Sequence, residues 1–217
     1  METKIIPIQL GFVKSFLVVG SRAILVDAGM PGSLESILKA LKENCVRYDQ
    51  VSLILVTHAH GDHVGGLWDL KDMLGAPVAV HRSEALCLAD GSGAEAVLHN
   101  PAMKLLSPLL KGKKPRGVAA DVLIDDSLDL AEYGVEGTVI HTPGHSNGSL
   151  SLITADGSAI VGDMVGGRRK PALPGVYLDL AQMKRSIASL GQTCAKTVYT
   201  SHGGVHRMED VLKLGQP

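Results

Sequence analysis

The segment THAHGDHVGG, residues 57–66, places three histidines and one aspartate within six positions. It follows directly on the continuous apolar run VSLILV, which is typical of a buried strand. His58 and His60 are two positions apart, and in an extended segment such residues project to the same side, so both can bind one metal ion. The glycine before Asp62 and His63 permits a sharp turn that points these side chains towards a second ion. The segment therefore predicts a metal site at a strand end, rather than solvated loop histidines.

Three later segments supply further candidate ligands, each at the end of a predicted strand. HTPGHSNGS carries His145 on a Pro-Gly turn, and TSHGG places His202 just before two glycines. VGDM places Asp163 immediately beyond an apolar strand, where a carboxylate is costly to bury unless it is paired or coordinated. Ligands that all come from strand ends are expected to converge on one rim of a sandwich.

The hydrophobic pattern predicts an α/β fold made of two similar halves. Three β-branched stretches between residues 4 and 27 favour an antiparallel meander, and the first half then continues as helix, strand, helix and strand. For the second half we predict strands near 121–124, 138–141, 149–154, 158–162 and 196–200, and helices at 179–190 and 206–214. Two such halves indicate two sheets packed face to face, with helices outside.

The length of 217 residues favours a single domain that spans residues 1–217. The pattern weakens between Ser83 and Gly117, where helical fragments, an Ala- and Gly-rich piece and a basic run follow one another. Because this stretch is too short for a core of its own, we predict a helical insertion or lid at about 82–118.

Composition excludes several classes of protein. The chain is 45% hydrophobic and 20% charged, which is typical of an ordinary globular protein. A net charge of −1 and an aromatic content of 3% argue against a nucleic-acid-binding surface. No apolar run approaches the ~20 residues of a membrane span, no signal peptide is recognisable at the N-terminus, and three unpatterned cysteines indicate reduced thiols. We therefore expect a cytoplasmic monomer or homodimer that binds neither nucleic acid nor membranes.

The ligand-bearing segments together resemble the metallo-β-lactamase superfamily. The pattern of that family is HxHxDH, then a later His, a later Asp and a final His. Seven residues match it in order: His58, His60, Asp62, His63, His145, Asp163 and His202. The match covers nearly the whole chain, and it implies an αββα four-layer sandwich with a dinuclear metal centre.

The resemblance also implies how the ligands are shared between two divalent ions, with zinc expected and iron or manganese as alternatives. The implied division is His58, His60 and His145 for one ion, Asp62, His63 and His202 for the other, and Asp163 as a bridge. Two ions roughly 3.5–4 Å apart can hold a bridging hydroxide near neutral pH, and that hydroxide would attack a substrate carbonyl.

Two aspartates receive further roles. Asp62 is the candidate catalytic residue, because it is placed both to bind metal and to orient the nucleophile or accept its proton. Asp27, in VDAG at another strand end, is a candidate to fix the tautomer of a ligand histidine, with a turn-capping role as the alternative.

Within the family, Asp163 favours the glyoxalase-II-like and lactonase-like hydrolases, because true β-lactamases of this fold generally lack an aspartate there. Glyoxalase II also carries a C-terminal helical domain that binds glutathione, whereas only about fifteen residues follow His202 here. We therefore expect a small-molecule substrate, namely a small ester, thioester or lactone. Arg168 and Arg169 can pair with a substrate carboxylate or phosphate, or belong to a solvated surface.

Other functions stay open at this stage. A mononuclear iron sulfur (persulfide) dioxygenase of the same fold would use His58, His145 and Asp163. A β-lactamase is a further alternative, and a non-catalytic metal-binding or interaction protein is the third class.

Overall fold

The computed structural model describes residues 3–99 and 114–216. Within these ranges the strands form two six-stranded sheets, and helices cover the outer face of each. The expected αββα sandwich is confirmed.

The first sheet is built from the N-terminal half, with its strands in sequence order. They are β1 (Lys4–Leu10), β2 (Val13–Val19), β3 (Ala23–Val26), β4 (Val51–Leu55), β5 (Val78–His81) and β6 (Val122–Ile124). The first three strands pair antiparallel, as expected for the meander, and the pairs from β3 to β6 are parallel. Parallel pairing requires crossovers, which α1 (Leu34–Glu43) and α3 (Leu67–Leu74) provide on either side of β4. The single turn α2 (Gly61–Val64) precedes α3.

The second sheet has the strand order β12-β11-β10-β9-β8-β7. Its strands are β7 (Ser127–Asp129), β8 (Gly137–His141), β9 (Leu150–Thr154), β10 (Ser158–Ile160), β11 (Thr197–Tyr199) and β12 (Val205–Arg207). Only β10 and β11 pair parallel, and α5 (Leu180–Leu190) lies between them in the chain. After β12 the chain ends in α6 (Met208–Gly215).

Alternation along the strands sorts the apolar side chains into three layers. Leu17 and Leu25 face α1, and Phe16 and Ile24 face the second sheet. The second sheet in turn packs its far face against α5 and α6. Each fully buried side chain of this size contributes about 1.5–3 kcal/mol relative to an exposed one. The buried layers leave the strand ends free to carry polar loops.

The predicted helix at 206–214 starts two residues too early. Val205–Arg207 instead forms β12 against β11, and the helix begins at Met208. The prediction also missed β7, which pairs with β8. Both strands are short and mostly exposed, so neither carries the buried apolar run by which the other strands were predicted.

The predicted insertion at 82–118 is described only at its two ends. A 3-10 turn at Arg82–Glu84 runs into the short helix α4 (Ala85–Ala89), and the Val118 N–H donates to the Leu88 carbonyl oxygen of that helix at 3.0 Å. Residues 100–113 lie outside the described part of the chain, so the lid stays a prediction, as does the single-domain organisation. In the described ranges no helix has both the length and the apolar character needed to cross a bilayer.

Candidate metal centre

The loop after β4 places four of the predicted ligands. Beyond Leu55 the chain leaves the sheet and bends at Thr57, His60 is extended, and α2 begins at Gly61. His58 and His63 are buried, and His60 is half-buried. The loop is tied to the second sheet, because the Leu150 N–H donates to the Thr57 carbonyl oxygen. The ligand loop therefore lies at the seam between the two sheets.

Three histidines converge as the first group of candidate ligands. His145, from the loop between β8 and β9, points its Nε2 to within 3.1 Å of His58 Nε2 and 3.0 Å of His60 Nδ1. The loop turns sharply at Gly144, whose φ is +134°, and a Cβ there would lie 2.3 Å from the Met183 backbone nitrogen. Only glycine fits this close approach to α5.

Asp62, His63 and His202 form the second group, and Asp163 lies between the two groups. His202 Nε2 lies 2.9 Å from Asp62 Oδ2 and 3.2 Å from Asp163 Oδ2. Asp163 also lies 3.4 Å from His63 Nε2 through Oδ1, and 3.8 Å from His145 Nε2 through Oδ2. The structure thus brings all seven sequence-predicted residues together: the two expected groups are present, and His58, His63 and Asp163 form a third that links them. Their role as metal ligands stays a prediction.

Backbone carbonyl groups fix the orientation of three imidazoles. His145 Nδ1 lies 2.8 Å from the Val176 carbonyl oxygen, and His202 Nδ1 lies 3.1 Å from that of Phe12. His60 uses its other nitrogen, Nε2, which lies 3.2 Å from the Glu95 carbonyl oxygen. A carbonyl oxygen can only accept, so the facing nitrogen carries the proton. The other ring nitrogens of His60 and His145 therefore present a lone pair to the centre, whereas His202 Nε2 faces the carboxylates of Asp62 and Asp163.

Asp27 orients the other two imidazoles from beneath the loop. Its buried carboxylate accepts hydrogen bonds from Thr57 N at 2.8 Å, from Thr57 Oγ1 at 2.7 Å and from His63 Nδ1 at 2.7 Å. Because the Thr57 hydroxyl donates to Asp27, its oxygen is free to accept from His58 Nδ1 at 3.1 Å. Asp27 adopts the left-handed conformation, with φ at +62°. The expected tautomer-fixing position of Asp27 is what the structure shows.

The electrostatics of the two groups differ. Burial holds the pKa of His58 well below its usual range and lowers that of His145 to about 4. Burial also lowers the pKa of His202, but hydrogen bonds to Asp163 and Asp62 outweigh it and raise the value to about 9. For Asp163 burial raises the pKa, yet the neighbouring imidazoles hold it well below its ordinary value. Burial therefore favours the neutral form of His58 and His145, whereas the carboxylates beside His202 favour its charged form.

The polar atoms of the centre fit a divalent cation. His63 Nε2 and Asp163 Oδ1 are buried and make no hydrogen bond, although buried polar atoms almost always have a partner. In the first group, lone pairs that face one another at 3.0–3.1 Å repel unless a cation lies among them. Imidazole and carboxylate together are ligands that zinc accepts, and they also suit iron and manganese.

Sequence reasoning missed two residues that support the centre. Thr57 opens the motif but carries no predicted role, whereas its hydroxyl links Asp27 to His58. Glu84 is buried and its carboxylate binds the backbone of two ligand loops. The spacing along the sequence gave no signal for Glu84, because it lies 25 and 64 residues from its two partners.

The described residues leave one side of the centre partly exposed. The side chains of Asp62 and His202 are 26% and 29% exposed, whereas those of His63 and His145 are 0% and 2% exposed. Phe12, at the tip of the β1–β2 hairpin, stacks on His202 with 5.6 Å between ring centroids. The second group is thus the more exposed part of the centre among the described residues.

Comparison with known proteins gives a family match over most of the chain. A model of the metallo-β-lactamase superfamily matches residues 8–198. The chain is 28% identical over 151 residues to a probable metallo-hydrolase of Methanocaldococcus jannaschii, which is 70% of this chain and 66% of that protein. It is also 28% identical over 176 residues to a probable metallo-hydrolase of Bacillus subtilis, which is 75% of each.

Among solved structures, a B3 metallo-β-lactamase named BLEG-1 superposes with a TM-score of 0.72 at 25% identity, over 98% of this chain and 97% of that one. Several curated relatives are longer, and the chain spans only about half of their length.

Proposed function

The chain belongs to the metallo-β-lactamase superfamily, and on that basis we propose that it is a metal-dependent hydrolase of a small ester, thioester or lactone. The observation that carries the proposal is the arrangement of two three-residue groups around Asp163. Two divalent ions, for which zinc is our choice, would supply a nucleophile near neutral pH and polarise a carbonyl group. We further propose a cytoplasmic monomer or homodimer.

Each candidate residue would have a defined role in metal binding or in proton transfer. His58, His60 and His145 would bind one ion, and Asp62, His63 and His202 would bind the other, with Asp163 between them. Among the carboxylates, Asp62 lies on the partly exposed side, so it is placed to orient the attacking nucleophile and to accept its proton. The fixed tautomers keep each imidazole ready to bind without reorganisation.

Two features of the rim bear on the substrate. Phe12 is 63% exposed beside His202, which offers an apolar surface to an acyl chain. Arg168 and Arg169 are exposed in the loop that follows Asp163, and a guanidinium offers a planar fork of donors to a carboxylate or phosphate. We therefore propose that acyl compounds with an anionic group are preferred.

Metal content is the first test. We expect two metal ions per chain, with zinc dominant, because the ligands fall into two groups that share one carboxylate. The measurement is elemental analysis of protein purified from its own host, with the metal-to-chain ratio determined on several preparations. A reproducible ratio of one with iron dominant would replace the hydrolase by the sulfur dioxygenase.

The arginines are tested by a substrate panel. The double variant Arg168→Ala/Arg169→Ala should raise KM for anionic esters and thioesters roughly two- to fivefold, since exposed ion pairs contribute about 0.2–1 kcal/mol, and leave kcat unchanged. Neutral esters and lactones should show no change. Arg185→Ala is the matched control, because Arg185 is an exposed arginine that bonds to Gln182 on α5. Equal effects on neutral and anionic compounds would assign both arginines to the solvated surface.

The same panel includes a cephalosporin, because β-lactam hydrolysis is the second candidate function. The similarity to a B3 metallo-β-lactamase over nearly the full length of both chains favours it. Asp163 opposes it, because β-lactamases of this fold generally lack an aspartate at that position. A kcat/KM for the cephalosporin above those for the esters, thioesters and lactones would make the β-lactamase the better proposal.

A further inference from the structure

Glu84 is a buried carboxylate in the described part of the chain, where it forms no hydrogen bond or ion pair with any of the seven candidate ligand side chains. It ends the 3-10 turn after β5 and is 3% exposed. In the described residues no lysine, arginine or histidine forms an ion pair with it. Burying an ionised carboxylate costs several kcal/mol of folding free energy unless hydrogen bonds compensate for the lost hydration. The hydrogen-bond partners of Glu84 therefore indicate its role.

Those partners are two backbone N–H groups from different ligand loops. Oε2 accepts from the Ala59 N–H at 2.6 Å, and Oε1 accepts from the Gly148 N–H at 2.8 Å. Ala59 lies between His58 and His60, and Gly148 lies three residues after His145. One carboxylate therefore joins the two loops that carry all three histidines of the first group.

The segment around Glu84 is itself held in place. His81 accepts from the Ser83 N–H and so caps the 3-10 turn, and Arg82 makes two hydrogen bonds to Asp125 at 2.6 and 2.9 Å. Gly148 fits closely against the carboxylate, because a Cβ on it would lie 2.8 Å from Glu84 Cγ and 2.9 Å from Cδ. The 3-10 turn on one side and Gly148 on the other thus fix the position of the Glu84 carboxylate.

We propose that Glu84 is a positioning residue that sets the separation of the two loops and thereby the geometry of the three-histidine site. The inference rests on the proposed function, since it concerns the binding of metal by that site. Hydrogen bonds to a charged acceptor are about twice as strong as neutral ones, so the bridge holds the imidazole nitrogens together against their mutual repulsion. Glu84 touches neither substrate nor metal in this role.

The decisive variant is Glu84→Gln, which preserves the volume of the side chain. Its amide offers one acceptor and one NH₂ group, and the NH₂ group faces an N–H donor, so one of the two bonds is lost. We expect zinc to bind the first group 10- to 100-fold more weakly, the range found when a residue that orients a ligand is removed. The readouts are competition with a chromophoric chelator and the visible absorption of the cobalt(II) form, which reports ligand geometry.

Gly148→Ala tests the same bridge from its other end, because the added methyl group displaces the Glu84 carboxylate without removing its charge. We expect weaker zinc binding here too. The double variant should bind zinc no more weakly than Glu84→Gln alone, because both changes break one bridge. Fully additive losses would show that the two residues act separately, and would contradict the proposal.

Asp121→Asn is the matched control. Asp121 accepts from the Val78 N–H at 2.8 Å and pairs with Lys71, so it also joins two segments of the first sheet, but away from the centre. Its loss should lower thermal stability and leave the zinc Kd unchanged. If Glu84→Gln binds zinc as wild type does, the inference fails and the proposed function stands; if wild type binds no zinc, the proposed function itself fails. Should Glu84→Gln not fold, Gly148→Ala decides.

Discussion

Replacing Asp163 with alanine should remove both metal ions together and lower kcat/KM by on the order of 10³-fold or more, because the metal ions generate the nucleophile. Among the described residues, Asp163 is the one carboxylate whose oxygens lie near nitrogens of both groups, with His202 and His63 at 3.2 and 3.4 Å and His145 at 3.8 Å. The measurement is elemental analysis after dialysis, together with kcat/KM on the best substrate of the panel.

Asp156→Ala is the control for this experiment. Asp156 is a carboxylate on the turn between β9 and β10, where it accepts from the Ser158 N–H, remote from the centre. The Asp156→Ala variant should keep the metal content and the kcat/KM of the wild type. If Asp163→Ala retained full occupancy and rate, the bridging assignment would be wrong; loss of only one ion would make Asp163 a ligand of a single site.

Replacing Asp27 with alanine should lower the free energy of unfolding by about 3–5 kcal/mol, because the change leaves a buried imidazole and a buried amide without their acceptor. The carboxylate accepts three hydrogen bonds, from Thr57 N, Thr57 Oγ1 and His63 Nδ1. Alanine is also strained at a φ of +62°. The measurement is urea unfolding of the metal-free protein, so that bound metal does not contribute.

Asp27→Gly and Asp27→Asn separate the two causes. Glycine accepts the left-handed backbone but loses all three hydrogen bonds, so it should exceed alanine in stability by about 1–2 kcal/mol. Asparagine tolerates the backbone and keeps one acceptor, and it should be the most stable of the three variants. Equal stability of the glycine and alanine variants would show that the backbone conformation carries no cost.

Local sequence signals were sufficient to predict that the candidate ligands converge, because each lies in a short segment marked by a preceding strand or an adjacent glycine. The motif at His58–His63 follows a buried strand, and His145, Asp163 and His202 each lie beside a glycine. The strand-end placement then required only that the strands assemble into a sandwich. All seven residues meet in the structure as that reasoning predicted.

The supporting contacts could not be predicted, because they join residues far apart in sequence through groups without a side-chain signature. The acceptors for His60 and His145 are carbonyl oxygens of Glu95 and Val176, which any residue type would supply. Glu84 finds its partners only after β5 is placed beside β4 in the sheet. The same limit explains the missed strands, whose pairing is decided by neighbours rather than by their own three residues.

The seven candidate ligands come from both halves of the sandwich. Four lie after β4 of the first sheet, whereas His145, Asp163 and His202 lie in loops of the second. An ion bound among them would connect the two sheets. Its binding free energy would then add to the free energy that holds the two halves of the sandwich together. At a free metal concentration of 100 times Kd this linkage amounts to about 2.7 kcal/mol. The availability of metal would then affect the folding stability of the protein as well as its catalytic rate.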